Sequence, residues 1–127
     1  MAVTKLKAAI LIISDTAFKD HTTDAVGVKL EHVFAAQDTL WDVKYTLIVP
    51  DDVNAIQQHI KLFSDHEDDY MSFVVTSGGT GFAIKDRTPE AIKPLIDKEA
   101  QGLVWVYVSF RCFGLTENTG MQCSLRR

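Results

Sequence analysis

The chain has 127 residues, a formal net charge of −4 and a hydrophobic fraction of 46%. This length suits one domain that buries a substantial core. Membrane spans require about 20 consecutive apolar residues, and no such run is present, so we expect no membrane association. The net negative charge argues against a broad basic surface that would bind the phosphate backbone of nucleic acid. Nucleic acid is therefore not an expected partner. The first residues lack a secretory signal pattern, which favours cytoplasmic localisation.

The chain begins with a predicted strand and helix. Residues 8–14 are continuously apolar until a final serine, which is typical of a strand buried on both faces of a parallel sheet. Residues 15–23 are polar and turn-like. Residues 24–37 then follow a helical period, and Thr23 or Asp24 is the expected cap.

A second strand and helix follow. Residues 43–49 predict a strand, which Pro50 ends. Apolar residues then recur at helical spacing from Val53 onward. Asp51 or Asp52 is the natural N-cap of this helix, because a carboxylate there accepts from free backbone N–H groups.

The third strand is predicted over residues 71–76 and leads into the glycine-rich residues 77–81. A helix is predicted over residues 88–99, because Thr88 is a favoured N-cap and a proline follows it. We expect Pro94 to kink that helix.

The alternation of strands and helices predicts an α/β fold with three α-β-α layers and a mostly parallel sheet. Ligands in such folds bind outside the carboxyl ends of the strands. Residues 14–16, 50–52 and 77–81 all follow predicted strands. We therefore expect these three loops to share one edge of the sheet.

The third of these loops has the composition of an anion-binding site. Glycines allow a ligand to approach the backbone, and successive N–H groups can then surround an anion. The loop matches neither the Walker A nor the GxGxxG pattern, so a simple tight turn is the alternative. Its candidate binding residues are Ser77, Gly78, Gly79, Thr80 and Gly81.

Three aspartates form a second group of candidates. Mg²⁺ is commonly held by one or two carboxylates together with substrate phosphates and water. Asp15, Asp51 and Asp86 are the candidates for this role. Alternatively, Asp51 caps a helix and Asp86 bonds its own backbone in a turn. Lys85 adds positive charge near the glycine loop.

Several of these segments resemble one known family. Residues 76–82 (TSGGTGF) and 86–91 (DRTPEA) resemble the molybdopterin-binding signature of bacterial molybdopterin adenylyltransferases and the gephyrin G domain. Residues 14–16 (SDT) and 50–53 (PDDV) also match the family pattern, and the fungal members look closest. The resemblance covers roughly residues 6–102.

The resemblance implies an activity. Members of this family bind molybdopterin and adenylylate its terminal phosphate with Mg-ATP, which releases pyrophosphate. The product passes to a molybdenum insertase, and the domains generally form homotrimers. Molybdopterin and ATP would therefore be substrates, and Mg²⁺ the cofactor.

The resemblance also implies roles for individual residues. Asp15 and Asp51 match the acidic positions linked to Mg-ATP and catalysis, and the glycine loop matches the one that holds the phosphates. Asp86 and Glu90 match acidic positions near the pterin pocket. Ser14 and Thr16, which flank the first of these aspartates, are further candidates for ligand binding.

The last quarter of the chain departs from the family pattern. The family normally continues with a Ser-Arg-Pro segment, a strand and a Pro-Gly-Ser/Asn loop, none of which occurs in residues 105–127. We therefore expect a molybdopterin-binding-like domain over residues 1–102, a divergent tail over residues 103–127, and a sheet that is incomplete at its C-terminal side. Three alternatives remain, namely an inactive pterin- or nucleotide-binding fragment, a domain related to molybdenum insertases, and a competence-damage-type nucleotide hydrolase.

Overall fold

The computed structural model describes residues 4–112 and 124–125, with the side chains of residues 4–106. Its centre is a three-stranded sheet in the order β2-β1-β3, formed by β1 (Leu6–Ile13), β2 (Trp41–Val49) and β3 (Phe73–Ser77). Strand β1 pairs in parallel with both neighbours. The predicted parallel sheet is thus confirmed, and the carboxyl ends of its three strands lie at one edge.

Strand β1 is buried on both faces, as its sequence predicts. Every residue from position 8 to position 13 is buried. Because side chains alternate across a strand, Ala8, Ile10 and Ile12 join one core cluster, and the intervening residues join another. Two apolar layers therefore lie on opposite sides of the sheet.

Helices cover both faces of the sheet. Helix α2 (Val26–Ala35) contributes Phe34 to the cluster on one face. Helices α3 (Val53–Ser64) and α4 (Thr88–Ile92) contribute Ile56, Phe63 and Ala91 to the cluster on the other face. The predicted α-β-α layering is confirmed.

The start of helix α3 distinguishes between two candidate caps. The Asp52 carboxylate accepts from the backbone N–H of Ala55 at 2.8 Å, which satisfies a free donor in the first turn. Asp51 is therefore not needed as the cap. In helix α2, Asp24 rather than Thr23 accepts from the first turn, through the N–H of Gly27 at 2.8 Å.

Two local predictions are wrong. Residues 15–23 are not a simple turn, because they contain helix α1 (Asp15–Lys19) and a 3-10 turn (His21–Thr23). The Ser14 hydroxyl caps helix α1 by accepting from the N–H of Ala17 at 3.2 Å. A serine before a polar segment was the available signal for this short helix.

The predicted helix over residues 88–99 is also shorter than expected. Helix α4 ends at Ile92, and a 3-10 turn (Lys93–Leu95) follows. Pro94 lacks the N–H that would bond the carbonyl four residues earlier, so the helix stops instead of bending. Thr88 is its first helical residue, and Arg87 occupies the N-cap position.

The remaining described elements are β4 (Lys98–Glu99), α5 (Gln101–Cys112) and β5 (Ser124–Leu125), and the two short strands pair antiparallel. Residues 113–123 and 126–127 of the predicted tail lie outside the described residues. None of the helices in the described part of the chain has the length and apolarity that crossing a membrane requires.

Ile56→Ala should lower the free energy of unfolding by about 2–5 kcal/mol, because the side chain is 1% exposed and its removal leaves a cavity. Leu62→Ala is the matched control on the same helix, since Leu62 is 49% exposed. We expect its cost to stay below about 1 kcal/mol. Urea unfolding measures both, and equal losses would contradict the packing described for this helix.

Candidate functional site

The predicted convergence of three loops is observed at the carboxyl edge of the sheet. The backbone N–H of Ser14 donates to the carbonyl of Val49 at 3.0 Å, which joins the ends of β1 and β2. The loop after β3 passes over the end of β1, close to the carbonyl of Ile13. Residues that are far apart in sequence are thereby brought to one place.

Asp15 and Asp51 hold each other by a reciprocal pair of hydrogen bonds. The N–H of Asp15 donates to Oδ2 of Asp51 at 3.2 Å, and the N–H of Asp51 donates to Oδ1 of Asp15 at 3.0 Å. Each carboxylate thus uses one oxygen to anchor the opposite loop. Within the described residues, no hydrogen bond involves the other oxygen of either carboxylate.

Two glycines bring the third loop beside this carboxylate pair. Gly78 and Gly79 have φ angles of 103° and 62°, which residues other than glycine rarely adopt. A Cβ on Gly78 would lie 2.0 Å from the carbonyl oxygen of Ile13. A Cβ on Gly79 would lie 3.0 Å from Oδ1 of Asp51. A Cβ on Gly79 would also lie 2.3 Å from the hydroxyl oxygen of Thr88, so the close approach of the loop to β1 and to Thr88 leaves no room for a side chain at either glycine.

Thr88 anchors the same loop from helix α4. Its side chain is 1% exposed, and its hydroxyl donates to the carbonyl of Gly78 at 2.9 Å. Its backbone N–H donates to the carbonyl of Gly79 at 3.0 Å. The sequence predicted Thr88 only as a helix cap, and the glycine loop ten residues earlier was the signal that could have suggested this contact.

Charged residues of the following loop also reach the site. A Cβ on Gly81 would lie 2.6 Å from Oδ2 of Asp86, so Asp86 folds back against the glycine loop. The charges of Asp86 and Lys85 both act on the Asp51 carboxylate. The site therefore contains at least three acidic side chains and one nearby cation.

Burial raises the pKa of the Asp51 carboxyl above its ordinary value, and the negative charges of Asp15 and Asp86 act in the same direction. The N–H of Asp15 and the charge of Lys85 oppose this rise in pKa. The surroundings of Asp51 thus compensate its negative charge only in part. A bound cation would supply the missing positive charge.

The other predicted site residues are placed differently. Ser77 is the last residue of β3, and Thr80 is exposed in the glycine loop. Ser14 caps helix α1, as described above, while Thr16 is exposed on that helix. Glu90 is exposed on helix α4, and no hydrogen bond or ion pair joins it to the aspartates in the described part of the chain.

The site fits a divalent cation only together with a ligand. Among the residues that the structure describes, no three histidine, cysteine, aspartate or glutamate side chains converge on a metal position. Asp15 and Asp51 retain one oxygen each, and Mg²⁺ is commonly bound by two carboxylates plus phosphate oxygens and water. The residues present therefore fit Mg²⁺ that arrives with a phosphate-bearing substrate.

Gly78→Ala should destabilise the protein by more than about 2 kcal/mol, because the new Cβ meets the Ile13 carbonyl and the backbone is held at positive φ. Gly102→Ala is the control, since a Cβ there meets nothing within 4 Å and the residue is helical. We expect that control to gain about 0.5–1 kcal/mol. Thermal unfolding distinguishes these outcomes, and a harmless Gly78→Ala would contradict the loop geometry.

Comparison with known proteins identifies related domains. A family model described as "Probable molybdopterin binding domain" matches residues 9–121. The match extends beyond residue 102, the point at which the family motifs in the sequence end. The division of the chain into a domain and a divergent tail stays a prediction.

Individual relatives agree with that family model. Molybdenum cofactor biosynthesis protein B of Staphylococcus epidermidis is 32% identical over 122 residues, which are 96% of this chain and 66% of that protein. The protein of the same name in Staphylococcus aureus strain Mu50 is 37% identical over 123 residues, which are 96% of this chain and 68% of that protein. The chain thus spans about two thirds of the length of these relatives.

The fold agrees as well. The molybdopterin biosynthesis enzyme MoaB of Thermus thermophilus has a TM-score of 0.76 and 30% identity, over 95% of this chain and 75% of that one. The family match, the sequence relatives and the shared fold lead to one conclusion: this chain belongs to the molybdopterin-binding domain family of molybdenum cofactor biosynthesis proteins.

Proposed function

We propose that this protein acts in molybdenum cofactor biosynthesis, where it binds molybdopterin and adenylylates its terminal phosphate with Mg-ATP. The observation that carries the proposal is the Asp15–Asp51 pair lying against a glycine loop at the carboxyl edge of a parallel sheet. The names of the relatives, which are molybdenum cofactor biosynthesis proteins, support the pathway.

The proposed reaction is a nucleotidyl transfer. An oxygen of the pterin phosphate attacks the α-phosphorus of ATP, the bond between the α-phosphorus and the bridging oxygen breaks, and pyrophosphate leaves. Because the attacking oxygen is already ionised, the protein needs no covalent nucleophile. It needs to orient two phosphate groups and to offset their mutual repulsion.

The residues of the site suit these two tasks. The glycine loop offers backbone N–H groups to phosphate oxygens, as anion-binding loops do. Asp15 and Asp51 would hold Mg²⁺ through their remaining oxygens, and the metal would neutralise charge on the nucleotide phosphates. Lys85 places a further positive charge near Asp51.

Two expectations about partners rest on the family resemblance alone. The family generally forms trimers, and its product passes to a molybdenum insertase. We propose that this chain forms homotrimers and that its product passes to a molybdenum insertase. We also propose that the protein is cytoplasmic. Size-exclusion chromatography with light scattering measures the oligomeric state directly.

Asp51→Asn should lower pyrophosphate release from Mg-ATP and molybdopterin by about a hundredfold or more. Losing roughly 3 kcal/mol of charge stabilisation at the phosphates corresponds to that factor. Asp52→Asn is the matched control, because the Asp52 carboxylate caps helix α3 and, among residues 4–106, no hydrogen bond or ion pair links that carboxylate to Asp15 or the glycine loop. Unchanged turnover in Asp51→Asn, with the adenylylated product confirmed by mass spectrometry, would refute the metal role.

The same variant should be more stable than the wild type at neutral pH. Burial and the Asp15 charge disfavour the ionised Asp51, whereas an asparagine oxygen can still accept from the N–H of Asp15. Because the folded pKa of Asp51 lies above its usual 3.8, the wild type loses stability relative to the variant as the pH rises from that value through the raised pKa.

Urea unfolding of both proteins at several pH values between about 4 and 7 measures this difference. The gap in unfolding free energy should grow with pH and then become constant above the raised pKa. A gap that is independent of pH, or a less stable variant at pH 7, would show that the Asp51 charge is fully compensated in the fold.

A further inference from the structure

Thr88 makes two contacts with the glycine loop that helix formation does not require. Its hydroxyl donates to the carbonyl of Gly78 at 2.9 Å, and its backbone N–H donates to the carbonyl of Gly79 at 3.0 Å. The residue is also the buried polar side chain of the described core, with 1% exposure. A hydroxyl group that is buried so completely depends on a hydrogen-bond partner within the protein, which here is the Gly78 carbonyl.

These contacts fix two consecutive peptide planes. The carbonyl of Gly78 and the N–H of Gly79 belong to one planar trans peptide, so they point in opposite directions. The same holds for the carbonyl of Gly79 and the N–H of Thr80. By holding both carbonyls, Thr88 turns both N–H groups away from helix α4.

The N–H groups of Gly79 and Thr80 donate no hydrogen bond within the described residues. Among the hydrogen bonds of residues 4–106, none has the N–H of Gly79 or Thr80 as its donor. The loop also packs closely against Thr88, because a Cβ on Gly79 would lie 2.3 Å from the hydroxyl oxygen. The loop therefore presents two adjacent, unused donors in a constrained orientation.

We propose that Thr88 is a positioning residue, whose hydroxyl holds the glycine loop in the conformation that binds a phosphate group of the substrate. This inference rests on the proposed function and extends it to a residue without ligand contact. It also gives a reason for threonine at the start of helix α4, where other first-turn residues would serve the helix equally well.

Two matched pairs of proteins separate the hydroxyl from the rest of the side chain. Thr88→Val replaces the hydroxyl of the wild type with a methyl group of similar size. Thr88→Ser and Thr88→Ala differ from each other by one oxygen atom, and they provide the comparison if the valine variant folds poorly. Each is titrated with Mg-ATP by isothermal calorimetry, and its amide dynamics are measured by NMR without ligand.

We expect the dissociation constant for Mg-ATP to rise about tenfold in Thr88→Val and Thr88→Ala, and to stay within about twofold of the wild type in Thr88→Ser. The amide order parameter of Gly79 should fall from about 0.85 toward 0.6 in the two variants that lack the hydroxyl, whereas that of Thr80 should change less, because the backbone N–H of Thr88 still holds the Gly79 carbonyl. A purely structural role would lower thermal stability and leave both readouts unchanged.

The outcomes are distinguishable. If the wild type binds Mg-ATP and all three variants bind it equally well, the inference on Thr88 is overturned and the proposed function stands. If Thr88→Ser binds as weakly as Thr88→Ala, the hydroxyl is not the determinant, and the inference is again overturned. A folded wild type that does not bind Mg-ATP would overturn the proposed function and this inference with it.

Discussion

Burial of strand β1 between two parallel neighbours determines where the site forms. Six successive apolar residues bury both faces of this strand, and its backbone N–H and C=O groups, which are removed from water, pair with β2 and β3 along both edges. The loops that follow the three strands then meet at one edge. The reciprocal hydrogen bonds of Asp15 and Asp51 connect two of these loops, and Gly78 brings the third across the end of β1.

Folding brings like charges together at the site, and the backbone hydrogen bonds of the fold compensate their repulsion only in part. The Asp15 and Asp51 carboxylates are anchored by backbone N–H groups, yet their like charges lie close together in a partly buried position, and burial raises the pKa of Asp51. Natural sites that bind Mg²⁺ with phosphates have this character, because the incoming cation removes the repulsion. The proposed function therefore implies that Asp51 lowers the stability of the fold in exchange for ligand binding.

The sequence predicted the parts of the fold that depend on local pattern. The apolar run of β1, the glycine loop and the aspartates after two strands were all recognisable, because burial and strand ends leave direct compositional signals. The end of helix α4 and the helix that Ser14 starts were not predicted correctly, since capping and the lost N–H of Pro94 compete locally with the helical pattern. The contact of Thr88 with Gly78 required the tertiary structure, which brings their elements together.

The most direct test of the central claim is NMR with Mn²⁺-ATP, in which the paramagnetic ion broadens the amide signals nearest to it. The account predicts that the signals of Asp15, Asp51 and Gly79 broaden first. The acidic loop at residues 65–69 is the internal control, because it has four carboxylates but no glycine-rich segment in its sequence. Earlier broadening at residues 65–69 than at Asp15, Asp51 and Gly79 would contradict the claim that the edge of the parallel sheet binds the metal-nucleotide complex.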